Sequence, residues 1–190
     1  MCFFVGLDLG QAEDYTALAV AKRSGEPTRY DLRHLERFPL GTPYPAIVAR
    51  VGVIISQPLL LKDVELVVDA TGVGGPVVDL LARAGLDPLA VTITGGDTVT
   101  REWKRARVPK RDLVATIAVL LQSGRLRVAS ALPEAETLVR ELLDFRVRID
   151  LRTAHDSYGA WREGTHDDLV LAVALACWAG ETAPVSLEFL

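Results

Sequence analysis

The sequence lacks any hydrophobic run long enough to cross a membrane. Its 190 residues are 49% hydrophobic and 24% charged, close to ordinary globular usage, yet no stretch approaches roughly 18 consecutive apolar residues. The apolar segment at residues 2–7 is too short for a signal peptide and has no basic residues before it. We therefore expect an intracellular protein that is neither secreted nor embedded in a membrane.

Cysteine and histidine are also scarce. The chain has two cysteines, Cys2 and Cys177, and three histidines. The cysteines form no metal-binding pattern, and Cys177 lies in an apolar run that predicts a buried thiol. This composition excludes a disulfide scaffold and argues against a zinc site, so a bound metal ion would have oxygen ligands.

Positive charge is in the minority, with 21 basic against 25 acidic residues and a net charge of −4. This balance argues weakly against general nucleic-acid binding, unless the excess acid is concentrated in a site for divalent cations. The sequence also lacks the G-x-x-x-x-G-K-[ST] motif, which excludes a nucleotide-binding loop of that class.

The order of the predicted elements indicates an α/β fold. Three strands, over residues 3–9, Tyr15–Lys22 and Arg29–Phe38, form an antiparallel meander at the N-terminus. Helices and strands then alternate, which predicts parallel strands. The later elements are helices over Tyr44–Gln57, Pro76–Ala84, Lys110–Ser123 and Pro133–Phe145, strands over Val64–Asp69, Leu89–Ile93 and Leu126–Ala129, a loop or hairpin over Thr94–Arg107, a hairpin formed by Arg146–Asp150 and Asp156–Trp161, and an apolar helix from about His166–Asp168 to Trp178. Ribonuclease H-like folds have this order: a mixed sheet with an antiparallel N-terminal meander, flanked by helices.

Three aspartates stand at the ends of predicted elements. Asp8 ends the first strand, Asp69 closes a strand before a glycine-rich turn, and Asp168 starts the last helix. Each has an ordinary structural explanation, because a strand-end aspartate can bond to backbone amides and an aspartate at a helix start can cap the helix. Each also suits a metal ligand, since burying an unpaired carboxylate is costly and α/β sheets place their chemistry at the carboxyl ends of parallel strands.

Together the three aspartates are more specific than any one of them. A two-metal nuclease needs several carboxylates that converge on ions roughly 3.5–4 Å apart, and hard oxygen ligands suit Mg²⁺ or Mn²⁺. Asp8 and Asp69 on neighbouring strands, with Asp168 on a helix packed against them, would supply that geometry. One ion would then activate the attacking water and the other would stabilise the leaving oxygen.

Four segments resemble, in order, the nuclease domain of phage large terminase subunits. They are VGLDLGQAEDYTALAV (residues 5–20), LVVDATGVGG (66–75), VPKRDLV (108–114) and HDDLVLAVALACW (166–178). The likeness extends over nearly the whole chain, and the last segment is its most specific part. It implies a ribonuclease H/RuvC-like nuclease that holds two ions, Mg²⁺ or Mn²⁺, through the catalytic acids Asp8, Asp69 and Asp168.

The resemblance also implies that Asp167 and Asp14 are accessory acids of the metal site. His166 is left open between a role in the site and that of a helix-start residue. The implied activity is endonucleolytic cleavage of double-stranded DNA, with little sequence preference, during viral genome packaging. The implied location is the cytoplasm of the infected bacterial host.

One part of the terminase family is missing from this sequence. Large terminases carry an N-terminal packaging ATPase, whereas this chain has no ATPase motif. We expect residues 1–190 to form a single ribonuclease H-like nuclease domain, either excised from a larger subunit or encoded separately. The expected partners are double-stranded DNA, a packaging ATPase domain, the portal and the small terminase subunit.

Basic residues cluster between positions 101 and 111, where six cations stand against one acid, Glu102. The six are Arg101, Lys104, Arg105, Arg107, Lys110 and Arg111. A basic loop beside a metal site would hold phosphates without reading bases, so we predict that these residues bind DNA; a solvated hairpin and helix start is the alternative. A second DNA-contacting edge is expected from Arg146, Arg148 and Arg152.

Two other functions stay open. A different ribonuclease H-like nuclease, such as a junction resolvase, would use the same acids. A non-catalytic DNA clamp or motor-docking module would instead retain the acids as structural caps.

Overall fold

The computed structural model describes residues 2–10, 14–61, 63–72, 74–148 and 167–183. In these ranges the chain forms eight strands and five helices. The strands are β1 (Cys2–Asp8), β2 (Ala17–Ser24), β3 (Arg29–Arg37), β4 (Val64–Asp69), β5 (Leu89–Thr94), β6 (Thr100–Glu102), β7 (Arg105–Pro109) and β8 (Leu126–Val128). The helices are α1 (Tyr44–Ile55), α2 (Gly74–Arg83), α3 (Lys110–Gln122), α4 (Ala135–Arg148) and α5 (Asp168–Thr182).

The strands form one mixed sheet in the order β6-β7-β5-β4-β1-β2-β3-β8. The first three strands pair antiparallel, while β4 pairs parallel with β1, β5 with β4, and β7 with β5. The predicted α/β fold, with its antiparallel N-terminal meander and helix-linked parallel strands, is confirmed. The carboxyl ends of β1, β4, β5 and β7 consequently lie along one edge of the sheet.

The two faces of the sheet bury separate hydrophobic cores, as the alternation along β1 shows. Phe4 packs into the core that contains α3 and α5. Its neighbours Phe3 and Val5 pack into the core under α1 and α2. Successive side chains of a strand point to opposite faces, so Gly6 and Asp8 share the face of Phe4.

Helix α5 is the most deeply buried element, because it packs on the sheet and against α3 and α4. Its residues from Asp168 to Gly180 are all buried, and Cys177 is buried as predicted. Gly6 allows this close packing, since a Cβ at that position would meet the Ala172 carbonyl oxygen at 1.9 Å. Within the described ranges, no helix combines the length and apolar character needed to cross a bilayer.

The structure corrects one predicted strand and resolves one alternative. Residues Arg146–Arg148 complete helix α4 instead of starting the hairpin arm predicted over Arg146–Asp150; five alternating residues are too few to fix a period of two, and the helix continues through the first three of them. The rest of that predicted hairpin, with His166, lies outside the described residues. The segment predicted as a loop or hairpin contains the β6–β7 hairpin, whose turn holds Trp103 at φ 49°.

Candidate functional site

Asp8 and Asp69 lie side by side at the carboxyl edge of the sheet. Leu7 pairs with Val68 in the parallel ladder of β1 and β4, so the aspartates that follow them are neighbours. Both carboxylates point to the α5 face, because Asp8 alternates with Leu7 and Asp69 alternates with Val68, whose side chains fill the opposite core.

The start of α5 brings two more carboxylates to this edge. Asp168 is the first residue of the helix and is 5% exposed, and Asp167 immediately precedes it. The close approach of Ala172 to Gly6 lies one helical turn from Asp168 and two residues from Asp8. This backbone contact therefore fixes the position of the α5 start along β1, relative to the strand ends.

The electrostatics of Asp8 show that these acids converge. Burial raises the pKa of Asp8 well above its usual range, and the charges of Asp69, Asp168 and Asp167 raise it further. Lys110 acts in the opposite direction and lowers the pKa of Asp8. Four carboxylates and one ammonium group thus share a site in which Asp8 is 7% exposed.

Lys110 enters the site from α3, of which it is the first residue. Its Nζ donates a hydrogen bond to Asp167 Oδ2 at 3.2 Å. Both side chains are partly buried, with 19% and 22% of their surfaces exposed. One member of the predicted basic cluster is thereby in contact with the acids.

A second cation, Arg37 at the end of β3, bridges Asp168 and Glu141. Its Nη2 donates to Glu141 Oε1 at 2.8 Å and to Asp168 Oδ2 at 3.2 Å. The guanidinium lies over the ring of Tyr15, 4.3 Å from the ring centroid. Arg37 therefore ties Asp168 to a side chain on α4.

Glu141 takes the capping role that sequence reasoning allowed to the aspartates at the α5 start. Its Oε2 accepts hydrogen bonds from the backbone N–H groups of Leu169 and Val170 at 3.0 and 3.2 Å, whereas the Asp167 side chain makes no capping bond. Burial raises the pKa of Glu141 to about 7, against the lowering effects of the Val170 N–H and Arg37. Glu141 is a buried acid that positions the helix carrying Asp168.

The turn after β4 holds Asp69 in place. Its Oδ1 accepts a hydrogen bond from the Thr71 backbone N–H at 2.8 Å. The following chain folds back closely, since a Cβ at Gly74 would meet the Asp69 carbonyl oxygen at 2.7 Å. The glycine at 74 therefore serves this tight turn and the start of α2.

Asp14 lies in the turn between β1 and β2, and its side chain is exposed. The backbone of this turn is tight, because a Cβ at Gly10 would meet the Asp14 carbonyl oxygen at 2.2 Å. The Gly10 N–H also donates to Thr16 Oγ1 at 3.1 Å. The backbone of Asp14 therefore lies close to Gly10, which is two residues after Asp8.

The structure separates five of the six predicted DNA-binding cations into two groups, with Arg107 between them. The β5–β7 ladder pairs Ala90 with Arg105 and Thr94 with Pro109, so the hairpin turn and Lys110 lie at opposite ends of β7. At about 3.3 Å per residue, Arg105 and Lys110 are roughly 17 Å apart. Lys110 and Arg111 stand at the edge of the acids, whereas Arg101, Lys104 and Arg105 stand near the far edge.

Ion pairs reduce the positive charge of this cluster. Arg101 pairs with Glu65 at 3.3 Å and Lys104 with Asp87 at 3.3 Å, and Arg111 pairs with Asp97. The side chains of Arg105 and Arg107 are exposed on β7. The side chains of Arg146 and Arg148, and all of Arg152, lie outside what the structure describes.

Solved structures similar to this chain include nuclease domains of large terminases. The large terminase nuclease of thermophilic phage G20c is 18% identical, with a TM-score of 0.57 over 92% of this chain and 80% of that one. The same nuclease with bound zinc gives 22% identity and a TM-score of 0.55 over 92% and 79%. The human cytomegalovirus terminase nuclease domain soaked with Mn is 14% identical, with a TM-score of 0.54 over 93% and 82%.

The chain has the fold of a large terminase nuclease domain. The resemblance predicted from the four sequence segments is thus confirmed at the level of the fold. No protein-family model and no curated protein matches this chain.

The acids of this terminase-like fold suit a divalent cation by their chemistry. Four carboxylates supply hard oxygen ligands, and a buried, mutually repelling set gains from a compensating positive charge. Among the described residues, however, no three acidic, histidine or cysteine side chains are placed to hold a metal ion. The donor set fits a hard divalent cation such as Mg²⁺ or Mn²⁺.

Proposed function

We propose that this chain is a metal-dependent endonuclease that cleaves double-stranded DNA with little sequence preference during viral genome packaging. The proposal includes residues 1–190 as one ribonuclease H-like nuclease domain. It also includes two bound ions, Mg²⁺ or Mn²⁺, and a host-cytoplasmic setting with a packaging ATPase domain, the portal and the small terminase subunit as partners.

One observation carries the proposal: Asp69 at the end of β4 and Asp167 and Asp168 at the start of α5 all lie close enough to Asp8, at the end of β1, to raise its pKa. A structural cap would need one acid, hydrogen-bonded to nearby backbone. Four carboxylates at one sheet edge destabilise one another, and a site for divalent cations explains their convergence. The terminase nuclease of phage G20c binds zinc and that of cytomegalovirus was soaked with Mn, which supports the choice of a divalent-metal site.

The proposed roles follow from the positions of the side chains. Asp8, Asp69 and Asp168 would hold the metals, with Asp167 and Asp14 as accessory acids. When bound, the ions supply activation of the attacking water and stabilisation of the leaving oxygen. Arg37 donates a hydrogen bond to Asp168, and Glu141 accepts from the backbone N–H groups that follow it. Both side chains thereby keep the Asp168 carboxylate at the strand ends.

The proposed DNA contacts are made to phosphates. Lys110 and Arg111 lie beside the acids and would bind the backbone near the scissile bond. Arg101, Lys104 and Arg105 lie near the other end of β7, with Arg105 about 17 Å from Lys110. They would contact the backbone further along the duplex, and Arg107 lies between the two groups. Such contacts position DNA without reading its sequence.

Plasmid digestion tests the proposed function. The wild type is expected to nick and linearise supercoiled DNA with Mg²⁺ or Mn²⁺ and to be inactive in EDTA. Asp8→Asn, Asp69→Asn and Asp168→Asn each preserve side-chain volume but remove a ligand charge, so each should lower the cleavage rate by at least about 100-fold.

A matched control is Asp79→Asn, which makes the same change at an exposed position on α2. This variant is expected to cleave DNA at the wild-type rate. Full cleavage in EDTA, or full activity of Asp8→Asn, would contradict the proposed function.

A further inference from the structure

Lys110 is an ammonium group set among four carboxylates. Its Nζ lies 3.2 Å from Asp167 Oδ2, with both side chains only partly exposed. Its charge also acts on Asp8, whose pKa it lowers. The lysine therefore lies inside the acidic site and interacts with acids from two elements.

The backbone explains how Lys110 reaches this place. Pro109 ends β7 opposite Thr94 of β5, at the edge where β1 and β4 also end, and α3 begins with Lys110 directly afterwards. The position at a strand end and helix start holds the Cα firmly, while the flexible four-carbon side chain leaves the ammonium group free to change partners.

Both acids at the α5 start are bonded to cations. Asp168 is bonded to Arg37, which is also paired with buried Glu141, so this cation is fixed on two sides. Asp167 is bonded to Lys110 across a partly exposed contact. Of these two pairs, the Lys110–Asp167 pair is the one that a solvent-borne cation can reach and replace.

We infer that Lys110 is the resident counter-cation of the acidic site, which releases Asp167 when a divalent cation binds and then binds a phosphate oxygen of DNA. This inference rests on the proposed function. In the metal-free protein Asp167 Oδ2 accepts a hydrogen bond from Lys110 Nζ. Metal and lysine would compete for Asp167, and the phosphodiester would be the second ligand of the displaced ammonium group.

Removal of the lysine charge should have opposite effects on two binding reactions. Without DNA, Lys110→Met should bind Mn²⁺ about tenfold more tightly than the wild type, because a positive charge a few ångströms from the ion is gone. With DNA, the same variant should bind more weakly and lose about 0.9 from the slope of log affinity against log salt, the contribution of one phosphate contact. A lysine with only a structural role would not tighten metal binding.

The experiment titrates Mn²⁺ into DNA-free protein and follows free Mn²⁺ by electron paramagnetic resonance. DNA affinity is then measured across a salt series in Ca²⁺, which takes the same oxygen ligands. Lys22→Met is the matched control, since the register of Lys22 with Phe3 places it at the opposite end of the sheet from Asp8. It should leave both Mn²⁺ affinity and salt slope unchanged. Lys110→Arg retains the charge and should also retain the wild-type Mn²⁺ affinity.

The outcomes separate this inference from the proposed function. Metal-dependent cleavage by the wild type, with Mn²⁺ affinity unchanged or weaker in Lys110→Met, would overturn the inference alone. A gain in Mn²⁺ affinity with no cleavage by the wild type would support it and count against the nuclease. Lys110→Gln, which keeps a polar side chain, replaces the methionine variant should that variant fail to fold, and the same result is expected of it.

Discussion

At the scale of single residues, Asp8 sets function against stability. A buried carboxylate among three others disfavours the folded state whenever it is ionised. Because the pKa of Asp8 is raised in the folded protein, folding takes up a proton, and stability falls as pH rises from about 4, the unfolded value. In the metal-free protein, Asp8 should therefore lower the free energy of unfolding more at pH 8 than at pH 5.

Asp8→Asn should relieve this conflict. We expect the variant to unfold with a free energy roughly 2 kcal/mol higher than that of the wild type at pH 8 in EDTA, and with a smaller difference at pH 5. Urea denaturation at the two pH values measures both. Addition of Mn²⁺ should stabilise the wild type and leave Asp8→Asn nearly unchanged, since only binding to the folded state adds stability. A variant less stable than the wild type at pH 8 would refute this account.

Glu141 permits a second test at this scale. Glu141→Ala removes the acceptor for the Leu169 and Val170 N–H groups and leaves Arg37 without one carboxylate. We expect a loss of about 3 kcal/mol in unfolding free energy and a cleavage rate lowered by about tenfold, because Asp168 loses its support.

Glu141→Gln should lie between Glu141→Ala and the wild type in both measurements, because its amide oxygen still accepts from the α5 backbone. Glu136→Gln, at an exposed position on the same helix, should change stability by less than about 0.5 kcal/mol. Equal cleavage by Glu141→Ala and wild type would show that the α5 start is held without this side chain.

The sequence pointed to some of these residues and not to others for physical reasons. Asp8, Asp69 and Asp168 stood out because an acid at the end of an apolar run needs an explanation. Arg37 ends an alternating strand, where charged residues are ordinary. Glu141 carried a signal that was missed: it lies three residues after buried Leu138, so helical spacing places an acid on the apolar face of α4.

At the scale of elements, the contact between β1 and α5 determines the geometry of the site. Gly6→Ala would place a Cβ 1.9 Å from the Ala172 carbonyl oxygen, and backbone atoms cannot move aside as a side chain end can. We expect the variant to lose at least about 2 kcal/mol of unfolding free energy, and to lose Mn²⁺-dependent stabilisation with it. Thermal unfolding with and without Mn²⁺ measures both effects.

Gly52 supplies the matched control on helix α1. A Cβ there meets nothing within 4 Å, so Gly52→Ala should stabilise the protein by about 0.5–1 kcal/mol through helix propensity. If Gly6→Ala unfolded with the same free energy as the wild type, α5 would be able to shift away from β1 without loss of stability.

The β6–β7 hairpin gives a prediction that separates DNA binding from cleavage. Neutralising Arg101, Lys104 and Arg105 together should weaken DNA binding at every sequence tested and make the salt slope shallower by up to about 3 units. Cleavage at saturating DNA should largely survive, since Arg105 lies roughly 17 Å along β7 from Lys110, which contacts the acids. Filter binding over a salt series, paired with single-turnover cleavage, measures the two effects. An unchanged slope would show that the hairpin faces solvent or a protein partner.

Element boundaries were predictable where periodicity extended over many residues and not where it was short. The apolar spacing of α1 and the bounds of β4 follow from the sequence, whereas Arg146–Arg148 has too few residues to distinguish a strand from the end of a helix. The basic cluster shows a related difficulty. Residues 101 to 111 are close in sequence, but the extended strand β7 carries Arg105 and Lys110 to opposite edges of the sheet.

At the scale of the whole molecule, the order of strands decides which residues meet. Both acids at the strand ends come from β1 and β4, which are adjacent in the sheet although α1 and two other strands separate them in sequence. The α/β alternation predicted parallel strands, and a general preference for chemistry at their carboxyl ends predicted where the acids would gather. That α5 covers them was expected because its apolar sequence needs a buried place and because the last segment resembles that of a known nuclease fold.

The late position of α5 in the chain has a consequence for the cell that makes this protein. Asp8 is translated before strands β2 to β8, whereas Asp168 and α5, the helix that fills the core, follow only after all of these strands have been made. A partly made chain therefore has half of its acidic site and an open apolar sheet face, and it cannot assemble the full set of acids. The set of four acids, and with it the proposed metal site, therefore forms only after α5 has been made.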